Sequence, residues 1–408
     1  MPLEPAASPV PRPRQILADF GGHYAASAVV AFLFACTGPV AIILSVGARG
    51  RLSEADIASW IFAAFFINGL LSFAFTLAYR QPLIFLWSIP GAVLLGPALG
   101  HLSFPQVIGA FLVTGVLLLV LGVSGWVRRA MAAIPMPIVM AMVAGVFLRF
   151  GLDLVRAFRD GMWIALPMTA VFLLLTLRPA ISRVVPPLIG ALLAGGLMIW
   201  YLDAFRPPPG LSLFAFASPN LYKPVISLPA IIELVIPLAI TVLAAQNAQG
   251  IAILTAKGHQ PPINAITAAC GAGSMLTAMF GAVSTCLTGP VNAVLADSGE
   301  KQRQYTAALF FCLLALLFGL LAPFFTRLLL ATPAAFIATL AGLAMLRVLQ
   351  TAFITSFAGR FSFGALVCFL VTVADIPLWR IGAPFWGLVF GLAASWLLER
   401  DEPERPQT

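Results

Sequence analysis

The sequence predicts an all-α polytopic membrane protein of about fourteen transmembrane segments, arranged as two inverted repeats of seven. Three observations carry this. The 408-residue chain is 61% hydrophobic and only 9% charged, where a soluble domain carries about 25% charged residues. Apolar runs of about 20 residues, each enough for a hydrocarbon core of about 30 Å, recur from Tyr24 to Leu398. The two halves of the chain also resemble each other.

The runs place segments at 24–47, 56–79, 83–97, 104–127, 133–152, 161–177 and 182–202, then at 230–256, 261–281, 284–297, 304–326, 333–353, 361–376 and 383–398. A β-barrel would instead show alternating stretches of about ten residues. Residues 1–22 are Pro-rich and polar and read as a disordered cytoplasmic tail without a secretory signal. Residues 23–203 form the first repeat, 204–229 an external loop, 230–398 the second repeat and 399–408 a charged cytoplasmic tail. Trp60, Trp126, Trp163, Trp200 and Trp396 fall near segment ends, where interface anchors sit.

With the N-terminus inside, 14 of the 23 Lys and Arg lie in inner loops and tails and 9 in outer ones. Both termini are therefore expected in the cytoplasm. The net charge of +8 is scattered through short loops, so it does not indicate nucleic acid. Cys36, Cys270, Cys286, Cys312 and Cys368 lie in apolar runs without a CxxC or a His–Cys cluster, and read as reduced buried thiols. No GxxxxGK[ST], HExxH or GxSxG is present, which disfavours ATP-driven transport and the corresponding hydrolases. No metal or cofactor is expected.

One block of the repeat matches at a single offset of 198. Arg129, Pro135 and Arg149 lie over Arg327, Pro333 and Arg347 without a gap. "SIPGAVLLG" (88–96) likewise pairs with "TGPVNAVLA" (288–296). Consecutive halves of seven segments enter the membrane in opposite senses, the layout of many secondary transporters. Segments 3 and 10 are short and broken by Gly and Pro, and such a pair at matching positions points to the binding site. Unpaired backbone groups there must face protein or an aqueous cavity. The starts of such half-helices present N–H donors suited to an anion, and Pro90 and Pro290 suit a helix start.

Residues 37–95 ("TGPVAIILSVGARG…LIFLWSIPGAVLL") and 244–299 ("AAQNAQGIAILTAKG…STCLTGPVNAVLADSG") resemble the bacterial benzoate:proton symporter family, over about residues 15–400. More distantly, the second half resembles nucleobase and sulfate transporters of seven-plus-seven architecture. The resemblance implies import of benzoate or a related aromatic carboxylate with a proton, by alternating access, in the bacterial inner membrane. It implies a core domain of segments 1–4 and 8–11 and a gate domain of 5–7 and 12–14. It also implies a transporter rather than an enzyme, and it admits a homodimer. Rival readings are a channel or transporter of this fold for another small anion or neutral solute, or a non-transporting membrane enzyme or subunit.

Mapped onto this sequence, the implied substrate site draws on Thr37, Gly38 and Pro39, on Phe85, Ser88 and Gly91, and on Gln246, Asn247 and Gln249. From segment 10 it draws on Thr285, Thr288, Gly289 and Asn292. The related nucleobase transporters carry carboxylates near the positions of Gln246 and Pro290. A neutral Gln suits an anionic substrate, because a buried carboxylate would repel it. Gln246, Asn247 and Gln249 cannot share one helix face, so at least one is expected to have a structural partner. Phe85 and Trp87 could stack on an aromatic ring. Among groups for proton coupling, Asp153, Glu233, Asp375, His23 and His259 read as solvated loop residues, and Asp297, which ends segment 10, is the favoured one.

Overall fold

The computed structural model describes residues 3–6, 10–127, 129, 135–178, 185–206, 215–376, 378–379 and 381–399. Segment 1 is two helices, Gly22–Cys36 and Gly38–Arg49, meeting at Thr37, whose φ of −95° and ψ of −94° are not helical. Segment 2 runs from Glu54 to Tyr79 with a π-helical turn at Ala63–Ile67. A capping box closes its start, with Ser53 and Asp56 each bonding the other's backbone N–H, so two otherwise unbonded donors are satisfied. Segment 4 is Phe104–Ser124, and segments 5 and 6 lie within Met136–Thr176. At 1.5 Å per residue that helix would measure about 60 Å, twice the hydrocarbon thickness. It breaks at Gly161, with φ −164° and ψ 57°.

Segment 7 is Pro187–Tyr201 and segment 8 spans Leu228–Ala256, with π-helical stretches at Ile231–Val235 and Thr241–Asn247. Segment 9 is Ile263–Ala278, 12 is Ala334–Phe357, 13 is Ser362–Ala374 and 14 is Ala383–Leu398. Segment 11 stops at Leu320 rather than at 326. Leu321 leaves the helical region, and Pro323 opens a separate helix, Ala322–Leu330, as proline at a first turn does.

Segments 3 and 10 depart from the all-helical expectation. Each begins as a three-residue strand, β1 (Phe85–Trp87) and β2 (Thr285–Leu287), and continues as a short helix, Ile89–Ala98 or Gly289–Ala296. Helices of 10 and 8 residues cover about half of the hydrocarbon thickness, and each strand adds about 10 Å. β1 and β2 pair antiparallel, with Phe85 opposite Leu287, Leu86 opposite Cys286 and Trp87 opposite Thr285. Ser88 N–H to Ser284 O (2.9 Å) and Thr288 N–H to Ile84 O (3.1 Å) extend the ladder at both ends. Extended backbone at this depth would cost several kcal/mol per unpaired group, and each strand supplies the other's partners.

Segments 4 and 9, 2 and 11, and 1 and 11 pack together in the core domain, and segments 5 to 7 and 12 to 14 pack together in the gate domain. The domains meet where segment 1 lies on segment 12. There Gly38 approaches Ala344 so closely that a Cβ on Gly38 would collide with the Ala344 methyl.

The N-terminal tail departs from its expected disorder. Pro13–Asp19 is a helix, held where Arg303 Nε donates to Asp19 O at 2.9 Å and the Tyr305 hydroxyl donates to the Asp19 carboxylate at 2.6 Å. Glu4 accepts from the N–H groups of Asn264 (3.1 Å) and Ala265 (3.0 Å), capping segment 9, where a negative charge is favoured. Of the C-terminal tail, 400–408 lie outside the described residues, as do 207–214 of the external loop. Glu399 caps segment 13 through the N–H groups of Phe363 and Gly364. Trp126, Trp163, Trp200 and Trp396 are exposed, as anchors are, but Trp60 is fully buried. All five cysteines are free thiols, four of them buried and Cys36 partly so.

Candidate functional site

The ladder brings the starts of the two half-helices together. In segment 3, Ser88 caps its own helix, its Oγ accepting from Gly91 N–H at 3.1 Å. Ser88 Oγ also donates to Thr241 Oγ1 on segment 8 at 3.2 Å. In segment 10, Thr288 occupies the matching cap position without a side-chain hydrogen bond to the helix. That start is therefore not closed by its own side chain, and Gly289 and Val291 carry N–H groups in its first turn. Gln249 lies directly over it. A Cβ on Gly289 would come to 2.6 Å from the Gln249 amide carbon and oxygen, so glycine is what lets the amide approach. Gln249 itself is exposed.

The expected site residues divide between this place and its scaffold. Asn247 is the structural amide of the three. Its Oδ1 accepts from Leu287 N–H at 2.8 Å, and its Nδ2 contacts Cys270 Sγ at 3.5 Å. Gln246 is partly buried with Oε1 3.9 Å from Cys286 Sγ. Thr285 donates through Oγ1 to Asn68 Oδ1 at 2.8 Å, and its N–H donates to Ser274 Oγ at 2.9 Å. Ser72 holds β1 in the same way, accepting from Phe85 N–H at 2.8 Å. Asn292 is fully buried and wholly occupied with the backbone of Ile84 and Thr288.

Phe85 is taken up edge-to-face by Phe75, at 5.2 Å, and Trp87 leans on Phe65 at 5.1 Å. Thr37, Gly38 and Pro39 sit at the break in segment 1, with Thr37 Oγ1 donating to Phe34 O at 3.1 Å. Gly38 faces Ala344 and Leu188 of the gate domain. Trp87 Nε1, Asn68 Nδ2 and Ser284 Oγ are buried without a protein partner.

Asp297 is not brought to the helix starts. It is 61% exposed and paired with Lys257. Two groups expected in solvent are buried instead. His259 bonds Gln304 Oε1 at 2.7 Å, and Glu233 bonds His101 at 2.8 Å. Sequence reasoning missed His101; its place in the turn between segments 3 and 4, level with the start of segment 8, was the available signal. Asp153 and Asp375 are also engaged, with Arg49 and Arg149 respectively.

Residues 22–397 match the family described as "Benzoate membrane transport protein". This chain belongs to that family. Among its relatives, "Inner membrane protein YdcO" of Escherichia coli (strain K12) is 30% identical over 370 residues, 89% of this chain and 92% of that protein. A "Benzoate membrane transport protein" of Acinetobacter baylyi is 27% identical over 377 residues, 90% of this chain and 93% of that protein. The fold is also that of solved anion transporters. The transmembrane domain of the cyanobacterial bicarbonate transporter BicA superposes with a TM-score of 0.63 at 14% identity, over 91% of this chain and 97% of that one. SLC26A9 superposes with a TM-score of 0.65 at 13% identity, over 91% of this chain and 64% of that one. The benzoate transport family member described here is thus a membrane transporter, not an enzyme, and its two repeats, core and gate follow the architecture of those folds.

Proposed function

We propose that this protein imports benzoate or a related aromatic carboxylate across the bacterial inner membrane together with a proton, with both termini in the cytoplasm. The observation that carries the reading is the start of segment 10, where Thr288 leaves the helix uncapped beneath Gln249. Backbone N–H groups at a helix start, reinforced by the helix dipole, favour a carboxylate. Gln249 adds a neutral donor, and Gln246 on the same helix adds no negative charge. Ser88 of segment 3 and Thr241 of segment 8 stand opposite, and the gate domain offers an apolar wall at Ala344 and Leu188. A slot with polar groups at one end and apolar walls suits a flat aromatic acid. The name of the Acinetobacter relative supports the same substrate.

In this reading Gln249, Gln246, Thr288, Gly289, Ser88 and Gly91 meet substrate. Thr37, Gly38 and Pro39 form its flank at the domain boundary. Asn247, Thr285, Asn292 and Phe85 hold the ladder that places the helix starts. The core then moves against the gate, exposing the site to alternate sides.

The deciding experiment is uptake of labelled benzoate into proteoliposomes with and without an inward proton gradient. Accumulation above equilibrium only with the gradient is expected. Equilibration that ignores the gradient would mean a uniporter or channel, and no flux from folded protein would reopen the substrate.

A further inference from the structure

On the side away from the N-terminus, core and gate meet at two charged places. Arg49, ending segment 1, pairs with Asp153 on segment 5. The second place is buried. Glu233 lies in the first turns of segment 8, within the π-helical stretch Ile231–Val235, and its side chain is 4% exposed. Its Oε2 is 2.8 Å from Nε2 of His101, in the turn after segment 3. Its Oε1 lies against Gly382, where an added Cβ would come to 2.5 Å. Gly382 is the cap residue of segment 14. Glu233 and His101 thus belong to the core, while Gly382 opens a helix of the gate.

An ionisable side chain inside a membrane span is costly unless paired, and marks function more often than packing. Glu233 has partners from both domains, so its charge and their relative position are linked. The ionised carboxylate is held by the start of segment 14, where negative charge is favoured, and by His101. Once protonated, it loses most of that attraction. No other titratable group faces it among the described residues. The helices packed on this turn, Phe104–Ser124 and Ala383–Leu398, carry none, and Arg380 lies outside the described residues. The Lys257–Asp297 and His259–Gln304 pairs both lie within the core.

We propose that Glu233, with His101, is the group whose protonation releases the gate from the core on this side, linking proton entry to opening of the substrate path. The proposal rests on the reading of the chain as a proton-coupled transporter. A proton arriving from solution meets His101 first, its side chain being 28% exposed. Transfer from protonated Nε2 to Oε2 leaves a neutral imidazole and a neutral carboxyl, and the contact with segment 14 loosens. Acidification on this side therefore favours opening.

The test uses the full chain in proteoliposomes and two variants. Counterflow of labelled benzoate at equal pH on both sides reports transport alone, and accumulation driven by a proton gradient reports coupling. Glu233→Gln, whose amide stands in for the neutral carboxyl, is expected to keep exchanging benzoate while losing gradient-driven accumulation. His101→Gln, at a partly exposed turn, is expected to slow gradient-driven accumulation severalfold while counterflow at equal pH is kept, because the proton must then reach the buried Glu233 without a relay. Accumulation that survives in Glu233→Gln, or accumulation that is not slowed in His101→Gln, overturns the proposal.

A substrate-free readout separates it from the benzoate reading. Val146 lines the crevice between segments 1, 3, 5 and 13 on this side. A Val146→Cys thiol should react severalfold faster with a membrane-impermeant reagent as pH falls, and fast at every pH when combined with Glu233→Gln. Labelling that ignores both pH and Glu233→Gln overturns the latch whatever the substrate. Absence of benzoate counterflow with this labelling intact would overturn only the benzoate reading.

Discussion

Asn292 on segment 10 grips Ile84 on segment 3 by both of its polar atoms. Oδ1 accepts from the Ile84 N–H at 2.9 Å and Nδ2 donates to the Ile84 carbonyl at 3.2 Å. Nδ2 also donates to Thr288 O at 2.6 Å. One side chain therefore joins the two repeats just outside the ladder and fixes the carbonyl of the cap residue of segment 10. Asn292→Ala would leave buried backbone groups short of partners, at about 1–3 kcal/mol for each group left unsatisfied. We expect lost uptake together with a lower melting temperature in detergent, read by size-exclusion after heating. Wild-type melting with lost uptake would mean that Asn292 serves substrate rather than the ladder.

Gly38 and Ala344 set how closely core and gate approach. Gly38→Ala is expected to reduce uptake at least tenfold while the protein still inserts. Ala344→Gly in the same molecule should restore most of it, since the collision is between two β-carbons. Failure of the second substitution to rescue would place the effect of Gly38 in the backbone of the break at Thr37, and not at the domain boundary. Residues in contact couple in such cycles by about 0.5–3 kcal/mol.

Gln249→Ala removes an exposed amide that is not needed by the ladder. Loss of one hydrogen bond to a charged ligand is worth about 1.5–3 kcal/mol, so the half-saturating benzoate concentration should rise about tenfold or more with melting unchanged. An unchanged value would remove Gln249 from the site.

His259, in the loop after segment 8, is bonded to Gln304 Oε1. Burial pushes its pKa below the ordinary 6.5, with Lys301 nearby acting in the same direction. The unfolded chain thus takes up a proton near 6.5 that the folded protein refuses until lower pH. Stability from this group is present above that value and falls as pH drops below it. His259→Gln should flatten the dependence of melting temperature on pH just below 6.5. An equally steep dependence in the variant would assign it to other groups.

Both termini are predicted to be cytoplasmic, from the 14 to 9 distribution of Lys and Arg. A C-terminal green fluorescent protein should be fluorescent and a C-terminal alkaline phosphatase inactive. The opposite pair of results would reverse the orientation assigned to every segment.

The segments and their inverted arrangement were legible because apolar length and the Arg–Pro–Arg spacing survive in the sequence. The short segments were legible through Pro90 and Pro290, which only a helix start tolerates well. The strands were not: "FLW" and "TCL" carry no alternation that three residues could reveal, and their pairing is wholly long-range. The division of the polar residues was hidden for a related reason. Gln246, Asn247 and Gln249 are equivalent by composition, and only the ladder shows that Asn247 serves Leu287 while Gln249 overlies Gly289. Glu233 looked solvated because it stands near a segment end. Its burial depends on His101 and Gly382, which are far from it in the chain.

The ladder also bears on biogenesis. Leu86 and Cys286, at its centre, are 200 residues apart along the chain. When the first seven segments have entered the membrane, Ile84 to Ser88 still lack the partners that segment 10 will bring. A half-made chain therefore holds open peptide groups inside the bilayer, and must be sheltered by water, the insertion machinery or a non-native contact until synthesis catches up. The first repeat expressed alone should be short-lived in cells, and supplying the second repeat as a separate polypeptide should protect it from proteolysis.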